Sequence, residues 1–335
     1  MHNLTDSGTL VRLAYRGLLN LGVDADAVLR QSGLDPAMLY KANLRTKFSA
    51  QPRFWEAALA HSGDPSIGLH LGEKMPVYKG QIFEYLLLSS PTFGAGLRRM
   101  SNYQRLISDA LQGQLSENPT PCITSRFSAP KYATSHLAEA MVIGLVRVFQ
   151  SVTDGTFQAS KVTFSHAPNA PMSEYQRIFN CPVEFNERAF KLYFDKSLLS
   201  YRSMHAQPEL FNLQIIAADQ HLAKLQQLDL VKALREALAS ALEANECSLD
   251  KIASQLGMAP RQLRYELQSA GTSFQNEINN YRRALAKRLL ANSETSISEV
   301  VYLTGFSEPS TFYRAFKRWE GLTPIEYRLQ QSTKK

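Results

Sequence analysis

Two stretches near the C-terminus repeat one pattern of apolar and polar positions. In the first, Leu249, Ile252, Ala253 and Leu256 recur at i, i+3, i+4 spacing, stop at Gly257, and give way after Pro260 to Leu263 and Leu267. In the second, Ile297, Val300 and Val301 stop at Gly305 and give way to Phe312 and Phe316. Each predicts an amphipathic helix, a glycine stop and a second helix, which is the sequence form of a helix-turn-helix, here over 248–269 and 296–319. The glycines stand 48 residues apart and Leu267 and Phe316 stand 49 apart, so the second copy has gained one residue. Capping chemistry agrees. Ser248 caps the first helix, Ser296 and Glu299 form a capping box, Gly257 and Gly305 supply left-handed backbone, and Pro260 opens a helix where no N–H is needed.

The polar positions then define an outer face. At about 100° per residue, Arg261, Tyr265 and Gln268 point away from Leu263 and Leu267, with Arg264 on the flank and Gln262 in the same set. In the second copy the face is Ser310, Arg314 and Lys317, with Thr311, Tyr313 and Arg318 beside it. Arg matches guanine O6/N7, Gln matches adenine, and Ser or Thr serves either, so such faces suit a major groove. Between the copies, Thr272 and Gln275 offer a capping box. Phe274, Ile278, Tyr281, Leu285 and Leu289 form an apolar stripe, and Arg282, Arg283, Lys287 and Arg288 carry charge. About eighteen residues make a rod of about 27 Å. Successive major grooves on one face lie about 34 Å apart, so the rod and its turns can hold two reading heads at neighbouring grooves. The basic face is either a phosphate-contacting surface or a solvated stripe.

Upstream, the patterns are mixed. Helices are expected at Thr9–Leu21, Asp24–Gln31, Pro52–Ser62 (Trp55, Ala58 and Leu59 inward) and Ser66–Leu71, and from Ser90-Pro91-Thr92 through Leu97, Met100, Tyr103 and Ile107. Thr134–Thr153 is apolar nearly all round and reads as a buried helix. Cys122–Phe127, Val162–Phe164, Val183–Phe185 and Phe190–Phe194 read as strands. Helix resumes at Glu209, and Leu210–Leu228 can pack on the first domain or on a second subunit. The expected architecture is a mixed α/β domain over 1–205, a joining helix over 206–227, and an all-α domain over 228–330 with two helix-turn-helix units on a linker helix.

Composition narrows the function classes. A hydrophobic fraction of 44% in 335 residues supports buried cores in two domains. The net charge of +7 favours polyanionic partners. That charge is spread, since 13 Lys/Arg face ten acids from residue 241 onward, so the placement of the bases matters more than their number. Asp6, Arg12 and Arg16 interrupt Leu4–Leu21, which excludes a signal peptide there. No apolar run spans a bilayer. Three dispersed cysteines, Cys122, Cys181 and Cys247, fit a reducing cytoplasm and read as small buried hydrophobes, with no metal site or cofactor expected. His70 and His166 read as ligands, bases or satisfied surface residues. Arg98, Tyr103 and Arg105 lie on or beside one helix and can hold a carboxylate or serve structure. The first half contains no phosphate loop, H-E-x-x-H or nucleophile elbow.

Ser248–Arg328 resembles the DNA-binding domain of AraC/XylS-type transcription regulators. The resemblance rests on Ile252-Ala253, Leu256-Gly257-Met258, Gly305-Phe306-Ser307, Phe312, Arg314-Ala315-Phe316-Lys317 and Gly321 to Arg328. The family usually has Arg where this chain has Tyr265, and often a polar residue at the position of Pro309. Gly63 to Leu69, Gly72-Glu73, Ser89 to Thr92, Leu97-Arg98-Arg99, Tyr103 and Cys181-Pro182-Val183 resemble the effector-binding domain of one branch. That branch includes arabinose-binding-type domains and ornithine- or arginine-utilisation regulators. The resemblance implies a cytoplasmic, sequence-specific regulator of transcription, an activator answering a small-molecule effector. Double-stranded DNA and RNA polymerase would be its partners, and a homodimer its working form. Arg282, Arg283, Lys287 and Arg318 would hold phosphates, and Arg261, Arg264, Ser310 and Arg314 would read bases. Two alternatives stand beside it. One is a regulator acting through protein contacts alone. The other is an alkylation-repair enzyme fused to such a domain, which would need a Pro-Cys-His setting and four zinc-binding Cys; here Ile123 follows Pro121-Cys122 and there are three Cys.

Overall fold

The computed structural model describes residues 4–77, 82–204, 206–243, 247–292 and 294–332. It divides into two units, Met1–Leu222 and Ala223–Lys335. The expected domain edge at residue 205 falls outside the described residues, as do Glu246, Lys334 and Lys335 of the charge count.

Unit 1 begins with β1 (Thr5–Ser7), α1 (Gly8–Asn20), α2 (Ala25–Gln31), β2 (Arg45–Lys47), α3 (Gln51–Ser62), α4 (Ile67–Lys74), α5 (Ile82–Leu88) and α6 (Phe93–Tyr103). It continues through β3 (Leu111–Ser116), β4 (Cys122–Phe127), α7 (Ser135–Val152), β5 (Ala159–Thr163), α8 (Met172–Phe179), β6 (Val183–Glu184) and β7 (Phe190–Phe194). Five strands form one sheet in the order β3-β4-β7-β5-β6, with β5 and β6 parallel and the other pairs antiparallel. β1 and β2 pair separately.

The apolar 134–153 pattern becomes α7, with ten of its residues buried. One side packs on the sheet through Val142, Val146 and Phe149, and Ala140 joins the helical core of α1 to α4. Gly68 and Gly72 allow the close approach of α4. A Cβ at Gly68 would lie 2.5 Å from the His136 backbone, and one at Gly72 would lie 3.0 Å from the Ala140 backbone. α3 buries Phe54, Trp55, Ala57 and Ala58, whereas Leu59, expected inward, is exposed. The inward arc is therefore turned by one residue toward the N-terminal side.

His70 of α4 bridges two carboxylates. Its Nδ1 lies 2.6 Å from Asp64 and its Nε2 lies 3.4 Å from Glu174 of α8. Burial disfavours the charged ring, but Asp64 and Glu174 more than reverse this and raise its pKa above 6.5. A raised folded-state pKa contributes stability that is full below the unfolded value and fades as pH rises through the folded one. Unit 1 is therefore expected to lose stability as pH climbs from 6.5. Thermal unfolding followed across pH should show this step in the parent and not in His70→Gln; an identical profile in both would assign the step elsewhere. His166 is satisfied at one nitrogen only: its Nδ1 lies 2.7 Å from Ala167 O and its ring packs on Phe164, while its buried Nε2 has no hydrogen-bond partner among the described residues. Among the described residues no cluster of three His, Cys, Asp or Glu forms a metal site. All three thiols are free, and burial pushes that of Cys181 up to about 11.

A 36-residue helix, α9 (Pro208–Glu243), starts two residues into the segment expected to join the domains and runs on past its end at 227 to Glu243. Phe211 and Ala218 are buried in unit 1 with Phe83, Leu86 and Tyr103. Leu234, Ala237 and Leu238 belong to the core of unit 2.

Unit 2 adds α10 (Leu249–Gln255), α11 (Pro260–Ser269), α12 (Phe274–Leu290), α13 (Ile297–Leu303), α14 (Pro309–Glu320) and α15 (Pro324–Ser332). It has two cores. One joins α9, α10, α11 and Ile278 of α12. The other joins Ala286 and Leu290 of α12 to α13 and α14. The linker helix thus contributes its first half to one helix pair and its second half to the other. No helix among the described residues is long and apolar enough to cross a membrane.

Candidate nucleic-acid interface

Both helix pairs are built by the local chemistry of their termini. The Ser248 hydroxyl accepts from Lys251 N, and Ser296 and Glu299 exchange both capping-box bonds. Gly257 and Gly305 have φ of +68° and +71°, where an L side chain is strained. At Gly305 a Cβ would also meet the Leu242 side chain at 2.8 Å. Pro260 and Pro309 each stand in the first turn of the following helix.

Leu263 and Leu267 fix α11 by full burial, and Phe312 and Phe316 fix α14. The opposite faces are then exposed: Arg261, Gln262, Arg264, Tyr265 and Gln268 on α11, and Ser310, Thr311, Arg314, Lys317 and Arg318 on α14. Tyr265 is 67% exposed. Among the described residues no ion pair engages Arg261, Arg264, Arg314, Lys317 or Arg318. Each α-helical second element therefore offers unpaired cations and amide or hydroxyl groups along one side, which is the donor set for phosphates and base edges.

The linker differs from expectation in three respects. Its N-cap is Ser273, which accepts from Asn276 N, and not Thr272, whose hydroxyl donates to Glu277 at 2.9 Å. Glu277 is itself buried and takes the Arg235 guanidinium of α9 at 2.8 Å. The buried positions of α12 are Ile278, Ala286 and Leu290, while Phe274, Tyr281, Leu285 and Leu289 are only half-buried. Third, Arg282 is half-buried and engaged within unit 2. Its Nη2 donates to Gly305 O at 2.9 Å, and the guanidinium lies 4.8 Å from the Phe306 ring centre. Burial pulls its pKa down. It ties the linker to the turn of the second helix pair.

Arg283 and Lys287 converge on Glu320 at the end of α14, at 2.6 Å and 3.1 Å. Burial works to raise the Glu320 pKa, but these two cations outweigh it and lower the value. Both keep partly exposed side chains, so either can still meet a phosphate. The segment from Gly321 to Arg328 is structural. Gly321 ends α14 in left-handed backbone, Thr323 and Glu326 cap α15 reciprocally, Tyr327 stacks edge-on to Phe316, and Arg328 donates to Thr295 O.

The sequence model for the arabinose-binding domain of AraC transcription regulators, N-terminal part, matches residues 22–203. That is more than half the chain. The chain belongs to the AraC family of transcription regulators. A helix-turn-helix domain model matches residues 252–330. The ornithine utilization regulator of Pseudomonas aeruginosa is 28% identical, over 97% of this chain and 98% of its own length. The HTH-type transcriptional regulator VirS of Mycobacterium tuberculosis is 26% identical, over 96% and 97%. The crystal structure of the transcriptional regulator CdpR from Pseudomonas aeruginosa aligns over 95% of this chain and 98% of its own, at 21% identity and a TM-score of 0.44. This AraC-family chain is thus a DNA-binding transcription regulator and not a repair enzyme.

The three residues expected to hold an effector carboxylate do not converge. Arg98 forms an exposed ion pair with Glu117. Tyr103 is buried and donates to Asp219 of α9 at 2.8 Å. Arg105 pairs with Asp109 at 3.2 Å. None lines the cavity inside unit 1, whose wall takes the alternate positions of the same stretch, Leu97, Met100 and Gln104. The arginines were singled out by charge, but their places on α6 and the turn after it face acidic partners at the surface.

Proposed function

We propose that the outer faces of α11 and α14 enter successive major grooves of one operator. Arg261, Arg264, Ser310 and Arg314 read bases, with Gln262, Tyr265, Gln268 and Thr311 beside them. Arg283, Lys287, Lys317 and Arg318 contact phosphates. The observation that carries this reading is the pairing, on each of the two second helices, of a fully buried seam with an exposed cationic face that has no ion pair among the described residues. Unit 1 senses a small-molecule effector, as the family match to an arabinose-binding domain suggests. The regulator acts in the cytoplasm as an activator that engages RNA polymerase. It works as a homodimer through the exposed apolar row of Leu210, Leu213 and Ile216 on α9. A regulator working through protein contacts alone would bind the same operator and show no effector response.

Capture of genomic fragments by the full chain, with and without metabolite pools, tests the whole reading. No enrichment of any sequence would end it. Light scattering that finds monomer at micromolar concentration, free and on operator DNA, would remove the dimer. Arg283 supplies a narrower test. Arg283→Ala should weaken operator and random DNA alike and lower the salt slope by about one unit. Isotherms at several salt concentrations read this directly. An unchanged slope would leave Arg283 as the intramolecular partner of Glu320 and nothing more.

A further inference from the structure

Unit 1 contains a cavity of about 100 Å³ bounded by β3, β4, α6 and α7. A second void, of about 80 Å³, shares Asp6, Leu10, Gln51, Leu137 and Met141 with it. A water needs about 10–15 Å³ of such space, so the larger void has room for several non-hydrogen atoms. Its wall is predominantly apolar, with Phe48, Phe83, Leu97, Ile123 and Met141 among its residues. Cavities of this character favour apolar guests over water.

Ser101, Gln104 and Gln114 line the wall from less buried positions, and fully buried polar groups reach it at two places. At one, Asp6 is 2% exposed and accepts from Gln51 Nε2 at 2.8 Å and Ser108 Oγ at 2.6 Å. A carboxylate offers about four acceptor positions, so capacity remains. At the other, Ser125 is 3% exposed, and among the described residues nothing hydrogen-bonds its hydroxyl. Neighbouring Gln104 already accepts from Gly113 N at 2.6 Å. No Lys or Arg lines the void. Arg45, the nearest cation to act on Asp6, is tied to Thr5 and Asp109. An anionic guest would therefore sit in an apolar space beside a carboxylate with no cation on the wall to meet it, an arrangement that burial penalises heavily.

We propose that this cavity is the effector site and takes a compact, mainly apolar ligand whose one polar end, an amine or a hydroxyl, donates to Asp6. The inference rests on the reading of unit 1 as a sensor and excludes ligands that bind through a carboxylate. Burial raises the Asp6 pKa while Ser108 and Gln51 oppose that rise. A donor from the ligand acts in the same sense as those two.

Benzylamine, benzyl alcohol and benzoate share a ring and differ in end group, so they separate the possibilities on the full chain. Calorimetric titration and thermal unfolding should show saturable binding of the first two and none of benzoate. Asp6→Asn should weaken benzylamine about tenfold or more, as the loss of a charge-assisted hydrogen bond implies, and benzyl alcohol much less. Met141→Trp, which fills the void from α7, should abolish both. Should Asp6→Asn fail to fold, the three probes on the parent and on Met141→Trp still decide. Benzoate binding as tightly as benzylamine, or benzylamine binding unchanged in Met141→Trp, overturns the site or its chemistry and leaves the sensor reading standing. No binding of any probe also overturns the proposal. The sensor reading falls with it only if a broad metabolite panel neither binds the chain nor alters its affinity for operator DNA.

Discussion

Phe316→Ala is expected to destabilise the second half of unit 2 by about 3–5 kcal/mol, the range for deleting a buried phenyl ring. Phe316 is fully buried, with its ring centre 5.8 Å from that of Phe312 and 5.5 Å from that of Tyr327. Its core is small: Ala286, Leu290, Val300, Val301 and Phe312 are the other buried members. A domain's whole stability is about 5–15 kcal/mol, so the loss is a large fraction of what holds α13 to α15 in place. Amide hydrogen exchange distinguishes the halves. Protection should fall over α13, α14 and α15 and persist over α10 and α11, whose core of Ile252, Ala253, Leu263 and Leu267 is separate. Operator binding should fall with it, although no outer-face residue has changed. Uniform loss over all of unit 2 would show that α12 couples the two cores into one cooperative block.

The seams just described are the part of the fold most legible in the sequence. Helix caps, glycine stops and four-residue apolar spacing are local, so Ser248, Gly257, Ser296, Gly305 and the pairs Leu263/Leu267 and Phe312/Phe316 stand where the pattern puts them. α7 and β7 were legible for the same reason, and β4 by its alternation, although Ser125 stands between Ile123 and Phe127 on its inner face. β3 was not: its burial alternates, but the inner set of Leu111, Gly113 and Leu115 has a glycine at its centre and too little apolar character to stand out, and the strand is held mainly by its register with β4. α5 and α8 are short, and α8 ends on Asn180 in left-handed backbone where a glycine would have signalled the stop.

Long-range partners were the larger loss. Nothing local distinguishes Arg282, which holds Gly305 O, from Arg283, which faces outward one residue on. The same holds for Glu277, a charged residue in the midst of a basic helix, which is buried only because Arg235 and Thr272 reach it. The cavity of unit 1 was missed for a related reason. A search for charge finds Arg98 and Arg105, whereas the wall is mainly apolar, with uncharged Ser and Gln side chains and a single charged residue, Asp6 of β1, about a hundred residues away in sequence from α6 and β3. Cavities between elements are a property of packing and leave no periodic trace.

Arg314 carries the second large expectation. It stands on α14 between the buried Phe312 and Phe316 in sequence and on the opposite side in space, exposed and without an ion pair among the described residues. Its helix is fixed by the aromatic core, so the guanidinium projects from a rigid base and loses less entropy on ordering at a groove floor than a loop arginine would. A bidentate contact to guanine contributes about 1–3 kcal/mol of discrimination. Arg314→Ala should therefore weaken the operator by that amount and relax preference at one base pair, with little change on scrambled duplex. The contrast with Arg282→Ala is informative. That variant removes a bond to Gly305 O and the stack on Phe306, so it should lower the unfolding temperature of unit 2, whereas Arg314→Ala should not. Isotherms on operator and scrambled DNA, with unfolding curves for each variant, separate reading from scaffolding. Equal losses on both duplexes for Arg314→Ala would make Arg314 a phosphate contact and shift base reading on α14 to Ser310 and Thr311. Unchanged binding on both would take α14 out of the groove.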